Sequence, residues 1–220
     1  MRLALLGVAT VLVLSGGLVG ATNVVSLDGD GMSAVDELLT GTDPLSPDTD
    51  GDGLPDDIED DGATSAVQAD TDGDGLGDGR ERELGLDPTS ADTDGDGILD
   101  GNETAARTDA TRADTDGDGI DDGRERELGT NPTAVDTDGD GLTDDVEVDG
   151  ATSPTTADTD GDGLGDGDEA QLATDPTEAG TDADGLPDGQ EVELGADPTV
   201  ADSDGDGLDD AREAELGTDP

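Results

Sequence analysis

Residues 70–81 read DTDGDGLGDGRE, with acidic side chains at the first, third, fifth, ninth and twelfth positions: Asp70, Asp72, Asp74, Asp78 and Glu81. Five carboxylates in so short a stretch form a hard, all-oxygen donor set, the kind that surrounds calcium. The spacing matches one ion's shell. Positions 1, 3 and 5 supply carboxylates, the main-chain carbonyl of Leu76 at position 7 supplies a further oxygen, position 9 often acts through water, and a Glu at 12 closes the shell with both oxygens. Gly75 at position 6 permits the sharp reversal that wraps the chain around the ion.

The pattern recurs at a fixed step of 22 residues. It starts at Asp48, Asp70, Asp92, Asp114, Asp136, Asp158, Gly180 and Asp202, with a worn copy one step earlier at Ser26. A constant period in this range marks a repeat architecture and takes precedence over local secondary-structure signals. The candidate ligands, carboxylates and position-7 carbonyls together, are Asp48, Asp50, Asp52, Leu54, Asp56 and Glu59, then Asp70, Asp72, Asp74, Leu76, Asp78 and Glu81. The next three loops offer Asp92, Asp94, Asp96, Ile98, Asp100 and Glu103; Asp114, Asp116, Asp118, Ile120, Asp122 and Glu125; and Asp136, Asp138, Asp140, Leu142, Asp144 and Glu147. The last three offer Asp158, Asp160, Asp162, Leu164, Asp166 and Glu169; Asp182, Asp184, Leu186, Asp188 and Glu191; and Asp202, Asp204, Asp206, Leu208, Asp210 and Glu213. Gly180 and Ala183 depart from the pattern, so weaker binding is expected in that loop. The worn copy keeps Asp28, Asp30 and Glu37 but has Ser26 and Ala34 at positions 1 and 9, and it reads as an N-terminal cap rather than a strong site. The segments DGATSAVQA and DGATSPTTA stand four units apart, consistent with duplication of a four-unit block.

Composition narrows the function classes. There are 62 Asp and Glu against 8 Arg and no Lys, for a net charge of -54, with no aromatic residue, His or Cys. Such a chain is repelled by phosphate backbones and anionic lipid surfaces. Without Cys it has no disulfide framework and no thiolate metal site, and without His or Cys no Ser–His or Cys–His pair. The carboxylates sit in metal loops with no apolar pocket beside them, so no enzyme is expected. Low hydrophobicity with high net charge is also the signature of disorder. Regular spacing argues for a shell instead, and an array loose without metal and ordered with it is expected. Eight divalent ions would offset only about 16 of the negative charges. The residual self-repulsion is screened at about 1 M salt, which suggests a halophilic source.

Residues 1–21 differ from the rest. Arg2, the apolar run from Leu3 to Leu14, and Val19 and Ala21 at small-residue positions read as a signal peptide cut before Thr22; an uncleaved N-terminal anchor is the alternative. Residues 22–47 hold the worn first unit, and 48–220 hold eight full units. Within each unit a short helix is expected from the ninth-position acid to a glycine stop, as in DGRERELG over residues 78–85, followed by Asp-Pro. The units from Asp92 and Asp136 have poorer helix sequences around Gly101-Asn102 and Val148-Asp149-Gly150, and more flexible joints are expected there. The position-7 residues and the position-15 leucines (Leu84, Leu128, Leu172, Leu194, Leu216) are expected to form a thin apolar seam between units.

Tandem DxDxDGxxDxxE loops ending in Gly and Asp-Pro resemble thrombospondin type 3 repeats, in their bacterial and archaeal form, over most of the chain. The resemblance implies a mostly irregular array with short helical turns and little hydrophobic core, wrapped around several calcium ions. It further implies a secreted or cell-surface structural or spacer role, with calcium and an extracellular protein as partners and no membrane contact by the array. The disulfides and adhesive neighbours of animal versions are absent. The loop is also similar to those of EF-hands and of dockerin modules, but long paired helices are missing and nine copies do not suit a two-loop module. Calcium sequestration by a polyanion, or dockerin-like partner binding, are the other readings.

Overall fold

In a computed structural model of the chain, residues 26–60 and 62–220 are described. The expected leader lies outside them. Among the described residues there is no strand, and each unit contributes one short helix. In chain order these are α1 (Ala34–Thr40), α2 (Asp56–Asp60), α3 (Asp78–Leu84), α4 (Asp100–Ala106), α5 (Asp122–Leu128), α6 (Asp144–Gly150), α7 (Asp166–Leu172), α8 (Asp188–Leu194) and α9 (Asp210–Leu216). No helix of the described residues is long and apolar enough to cross a membrane. The chain is a tandem array of loop-plus-helix units, mostly irregular, with little apolar core.

Each full loop is closed at its neck. The residue just before position 1 offers its carbonyl to the position-9 amide: Asp78 N donates to the Ala69 carbonyl at 3.1 Å, Asp122 N to Ala113 at 2.7 Å and Asp166 N to Ala157 at 3.1 Å. The helix starts at this neck. It runs two turns and is stopped by a residue in the left-handed region, Gly85 at φ 82° after α3 and Gly129 at φ 86° after α5. The position-17 amide then folds back onto the carbonyl of the position-12 glutamate, as Leu86 N does on Glu81 at 3.0 Å. Two turns are too few for an isolated helix to persist, so loop closure and the next unit hold it in place.

Two expectations are corrected here. The units from Asp92 and Asp136 form helices as long as the others. Their stop positions are Arg107 at φ 75° and Ala151 at φ 69°, left-handed residues that carry a Cβ. The seam also differs. At position 7, Met32, Ile98, Ile120, Leu164 and Leu186 are buried. The position-15 residues Leu84, Leu172, Leu194 and Leu216 instead face solvent, at 38–54% exposure. The back-folded position 17 takes the inner place, through Thr42, Leu86, Thr130 and Thr174. The helix ends at position 15, so the chain turns inward only two residues later.

The ion pairs among the described residues, Arg80–Glu83, Arg124–Glu127 and Arg212–Glu215, each lie within one helix and are more than half exposed, so they do not join units. A different bond does. The position-5 carboxylate accepts the position-10 amide of the next unit: Gly79 N to Asp52 Oδ2 at 2.8 Å, Gly101 N to Asp74 at 2.6 Å, Gly123 N to Asp96 at 3.0 Å, Gly167 N to Asp140 at 2.9 Å, Gly189 N to Asp162 at 2.8 Å and Ala211 N to Asp184 at 2.8 Å. Glycine suits this place because the units approach closely: a Cβ on Gly101 would lie 2.8 Å from the Asp74 carbonyl oxygen. At the two remaining joints position 10 is Asp57 or Asp145, and the facing oxygens, Asp30 Oδ2 and Asp118 Oδ2, are buried without a hydrogen-bond partner. These two joints stand four units apart.

Candidate metal centre

The loop from Asp70 shows how each carboxylate is placed. Asp70 organises the turn, accepting Gly73 N on Oδ1 at 2.6 Å and Gly75 N on Oδ2 at 3.1 Å. Gly75 has φ 99° with nothing within 4 Å of where a Cβ would stand, so its backbone conformation and not crowding calls for glycine. Asp72 Oδ1 accepts Asp74 N at 3.2 Å and Asp74 Oδ1 accepts Leu76 N at 2.7 Å. Asp72 Oδ2 and both oxygens of Glu81 are buried without a partner, and Glu81 is 0% exposed. Buried charged oxygens with no donor are costly unless a cation meets them. Oδ2 of Asp50, Asp94, Asp116, Asp138, Asp160 and Asp182 at position 3 is in the same state, as are both oxygens of Glu59, Glu147 and Glu191 and Oε2 of Glu103, Glu125, Glu169 and Glu213 at position 12.

Position 9 has a structural place. Asp78 is 0% exposed and accepts Thr71 N at 2.7 Å and the Thr71 hydroxyl at 2.5 Å. The arrangement repeats in every full unit through Thr49, Thr93, Thr115, Thr137, Thr159, Thr181 and Ser203. Sequence reading missed this partner. Its signal is the hydroxyl at position 2 wherever position 9 is Asp, and its absence in the first unit, where Leu27 and Ala34 stand instead.

Carboxylates gather in two kinds of group. Positions 1, 3 and 5 of one loop bring ligand oxygens within 4.8 Å of one another, as in Asp48, Asp50 and Asp52 or Asp70, Asp72 and Asp74. Positions 5 and 12 also meet the next unit's position 9, as in Asp52, Glu59 and Asp78 or Asp74, Glu81 and Asp100. These two joints therefore carry acids from two units. Burial, and then the nearby Asp carboxylates, push Glu59, Glu81, Glu103, Glu125, Glu147 and Glu191 up to about 8 and Glu169 to about 7. The unpartnered oxygens, the oxygen-only donors and the inward glutamate together fit a hard divalent cation.

In the eighth unit Gly180 leaves the turn amides without a position-1 carboxylate, and Ala183 holds the position-4 turn at φ 65°. Asp184 N still reaches Asp182 Oδ1 at 3.0 Å and Leu186 N reaches Asp184 Oδ1 at 2.7 Å. In the first unit Asp28, Asp30 and Glu37 come together within 4.8 Å, a set the sequence reading had assigned to a cap.

The model of the bacterial TSP3 repeat matches residues 27–47, 70–91, 92–113, 114–134, 136–152, 158–179, 181–201 and 202–220. These stretches cover well over half of the chain, which belongs to this family of calcium-binding repeat modules. Residues 48–69, one unit of the same period, fall between the matches. No curated protein and no solved structure matches the chain.

Proposed function

We propose that the chain is a secreted or cell-surface structural spacer whose loops each bind calcium through the predicted position-1, -3, -5, -7 and -12 groups. Binding makes the array compact and stiff. The supporting observation is the buried position-12 glutamate, which offers partnerless oxygens among like charges in every unit. Calcium removes that repulsion and, through the acids shared across joints, couples neighbouring units. Calcium concentrations outside cells fill loops of even modest affinity, about 10⁻⁴–10⁻³ M, and the leader at residues 1–21 directs the array there. At -54 net charge the array is suited to high salt.

Calcium titration of the full chain after chelation, in high KCl, tests this, with circular dichroism and scattering radius followed in parallel. A cooperative fall in radius with about eight or more ions bound is expected. Weak, non-cooperative binding with no change of shape would replace the spacer by a sequestering polyanion. Full order at low salt would remove the halophilic reading.

A further inference from the structure

The sequence holds three asparagines, Asn23, Asn102 and Asn131. An Asn-x-Ser/Thr triplet with x other than Pro is the acceptor signal for N-linked glycans on exported chains. Asn23 has Val25 two residues on, and Asn131 is followed by Pro132, so neither qualifies. Asn102-Glu103-Thr104 does. Two residues particular to this unit create it. At the same places, positions 11 and 13, other units carry Arg80 and Arg82, Val146 and Val148, or Gln190 and Val192. The middle residue is the position-12 glutamate of the loop. Asn102 is exposed on α4. Its equivalents Arg80 and Arg124 extend long side chains into solvent, 57% and 56% exposed. Position 11 therefore has room for a large substituent on the folded array.

The folded unit has the wrong shape for the modification step itself. A transferase must hold the Asn amide together with the hydroxyl two residues on. Residues i and i+2 share a face in an extended chain but not in a helix. In α4 the Thr104 hydroxyl instead donates to the Gly101 carbonyl at 3.0 Å, and Glu103 between the two is 0% exposed. Without metal α4 is poorly held. Gly101, Asn102 and Thr104 are weak helix formers, and its stop, Arg107 at φ 75°, carries a Cβ into the left-handed region. We propose that Asn102 accepts an N-linked glycan, added by a membrane oligosaccharyltransferase to the calcium-free chain before Glu103 is drawn inward. In that step Asn102 Nδ2 bonds to the anomeric carbon of a lipid-linked oligosaccharide as the bond from that carbon to the lipid's phosphate oxygen breaks. The lipid phosphate leaves with the electron pair, and the amide proton passes to a base of the transferase. The proposal rests on the readings that the chain is exported and that its loops order on calcium.

The test incubates the full chain with a membrane oligosaccharyltransferase and a lipid-linked oligosaccharide, with magnesium to support the enzyme and EGTA to hold calcium away. A short Asn-x-Thr peptide serves as the control acceptor, and intact mass is the readout. One added oligosaccharide is expected, retained in Thr104→Ser and lost in Asn102→Gln and Thr104→Ala. Calcium at about one hundred times its dissociation constant depletes the open unit, so it should slow the reaction by up to about a hundredfold while leaving the peptide unaffected. In a secreting cell that N-glycosylates, the chain expressed with its leader should reach the medium with the same added mass. No addition in EGTA while the peptide is modified, or addition that persists in Asn102→Gln, would overturn the acceptor. A rate indifferent to calcium would overturn the order of events, and circular dichroism of the same samples tells whether the array itself failed to order. A secreted chain without the added mass would overturn the modification and leave export standing. An unmodified chain found only inside the cell would overturn both.

Discussion

Substituting Gly101 by Asp should turn a latched joint into one like that at Asp145. The Gly101 amide donates to Asp74 Oδ2 at 2.6 Å, and a Cβ there would stand 2.8 Å from the Asp74 carbonyl oxygen, closer than real Cβ contacts come. Ala211 keeps the same latch with a Cβ in place, so the joint can adjust to a methyl group; the added carboxylate, which would face the charged Asp74, is what parts the units. A hydrogen bond to a charged acceptor contributes about 1.5–3 kcal/mol. Asp is the better helix former by a few tenths of a kcal/mol, which offsets little of this. The expected loss is about 1–2.5 kcal/mol, confined to one joint because each unit contacts only its neighbours. The chain has no Cys, so spin labels at Arg80→Cys and Thr104→Cys report this joint alone. In saturating calcium, Gly101→Asp should broaden the label-to-label distance distribution and lower the urea midpoint. The reverse change, Asp145→Gly, should narrow the distribution across its own joint and stabilise by a slightly smaller amount, since glycine is the poorer helix former by a few tenths of a kcal/mol. Unchanged midpoints and widths in both variants would refute the latch.

Three further outcomes are expected. Glu81 is pushed up to about 8, so the folded metal-free unit holds a proton that the unfolded chain, at 4.5, releases. Order without calcium should therefore be favoured at low pH and be lost as pH rises from about 4.5 to about 8. Glu81→Gln should remove one ion from the calcium count and weaken binding in the adjoining unit, because Glu81 lies with Asp100 as well as Asp74. Thr71→Val should cost about 1–3 kcal/mol in urea unfolding at saturating calcium, because it strips the hydroxyl from a fully buried Asp78 carboxylate.

The period, the gathering of the loop carboxylates and the two-turn helices, most of them stopped by glycine, were legible in the sequence, because loop geometry and backbone conformation are local demands repeated at fixed spacing. Long-range placement was not. Leu84 and Leu86 look equally apolar in the sequence, yet the first faces solvent and the second is buried, since the helix end decides which side the chain takes. Gly101 reads as a weak helix former in the sequence, whereas its close contact with Asp74, 27 residues away, is what favours a small residue there, as the latched Ala211 also shows. Asp78 carried the spacing of a ligand, while its bond to Thr71 depends on how the loop closes. The worn first unit reads from its acids present and absent as a cap, while the meeting of Asp28, Asp30 and Glu37 within 4.8 Å depends on how its loop closes.

The latch always spans 27 residues, one period plus five, so every joint is written in the same register. Deleting or duplicating whole units by recombination leaves a position-5 acid facing a position-10 residue wherever the cut falls. The reach of the molecule is thereby free to drift between generations in steps of one unit without new interfaces having to evolve. A block that begins with an Asp at position 10, as those led by Asp57 and Asp145 do, also carries its own unlatched seam wherever it is pasted.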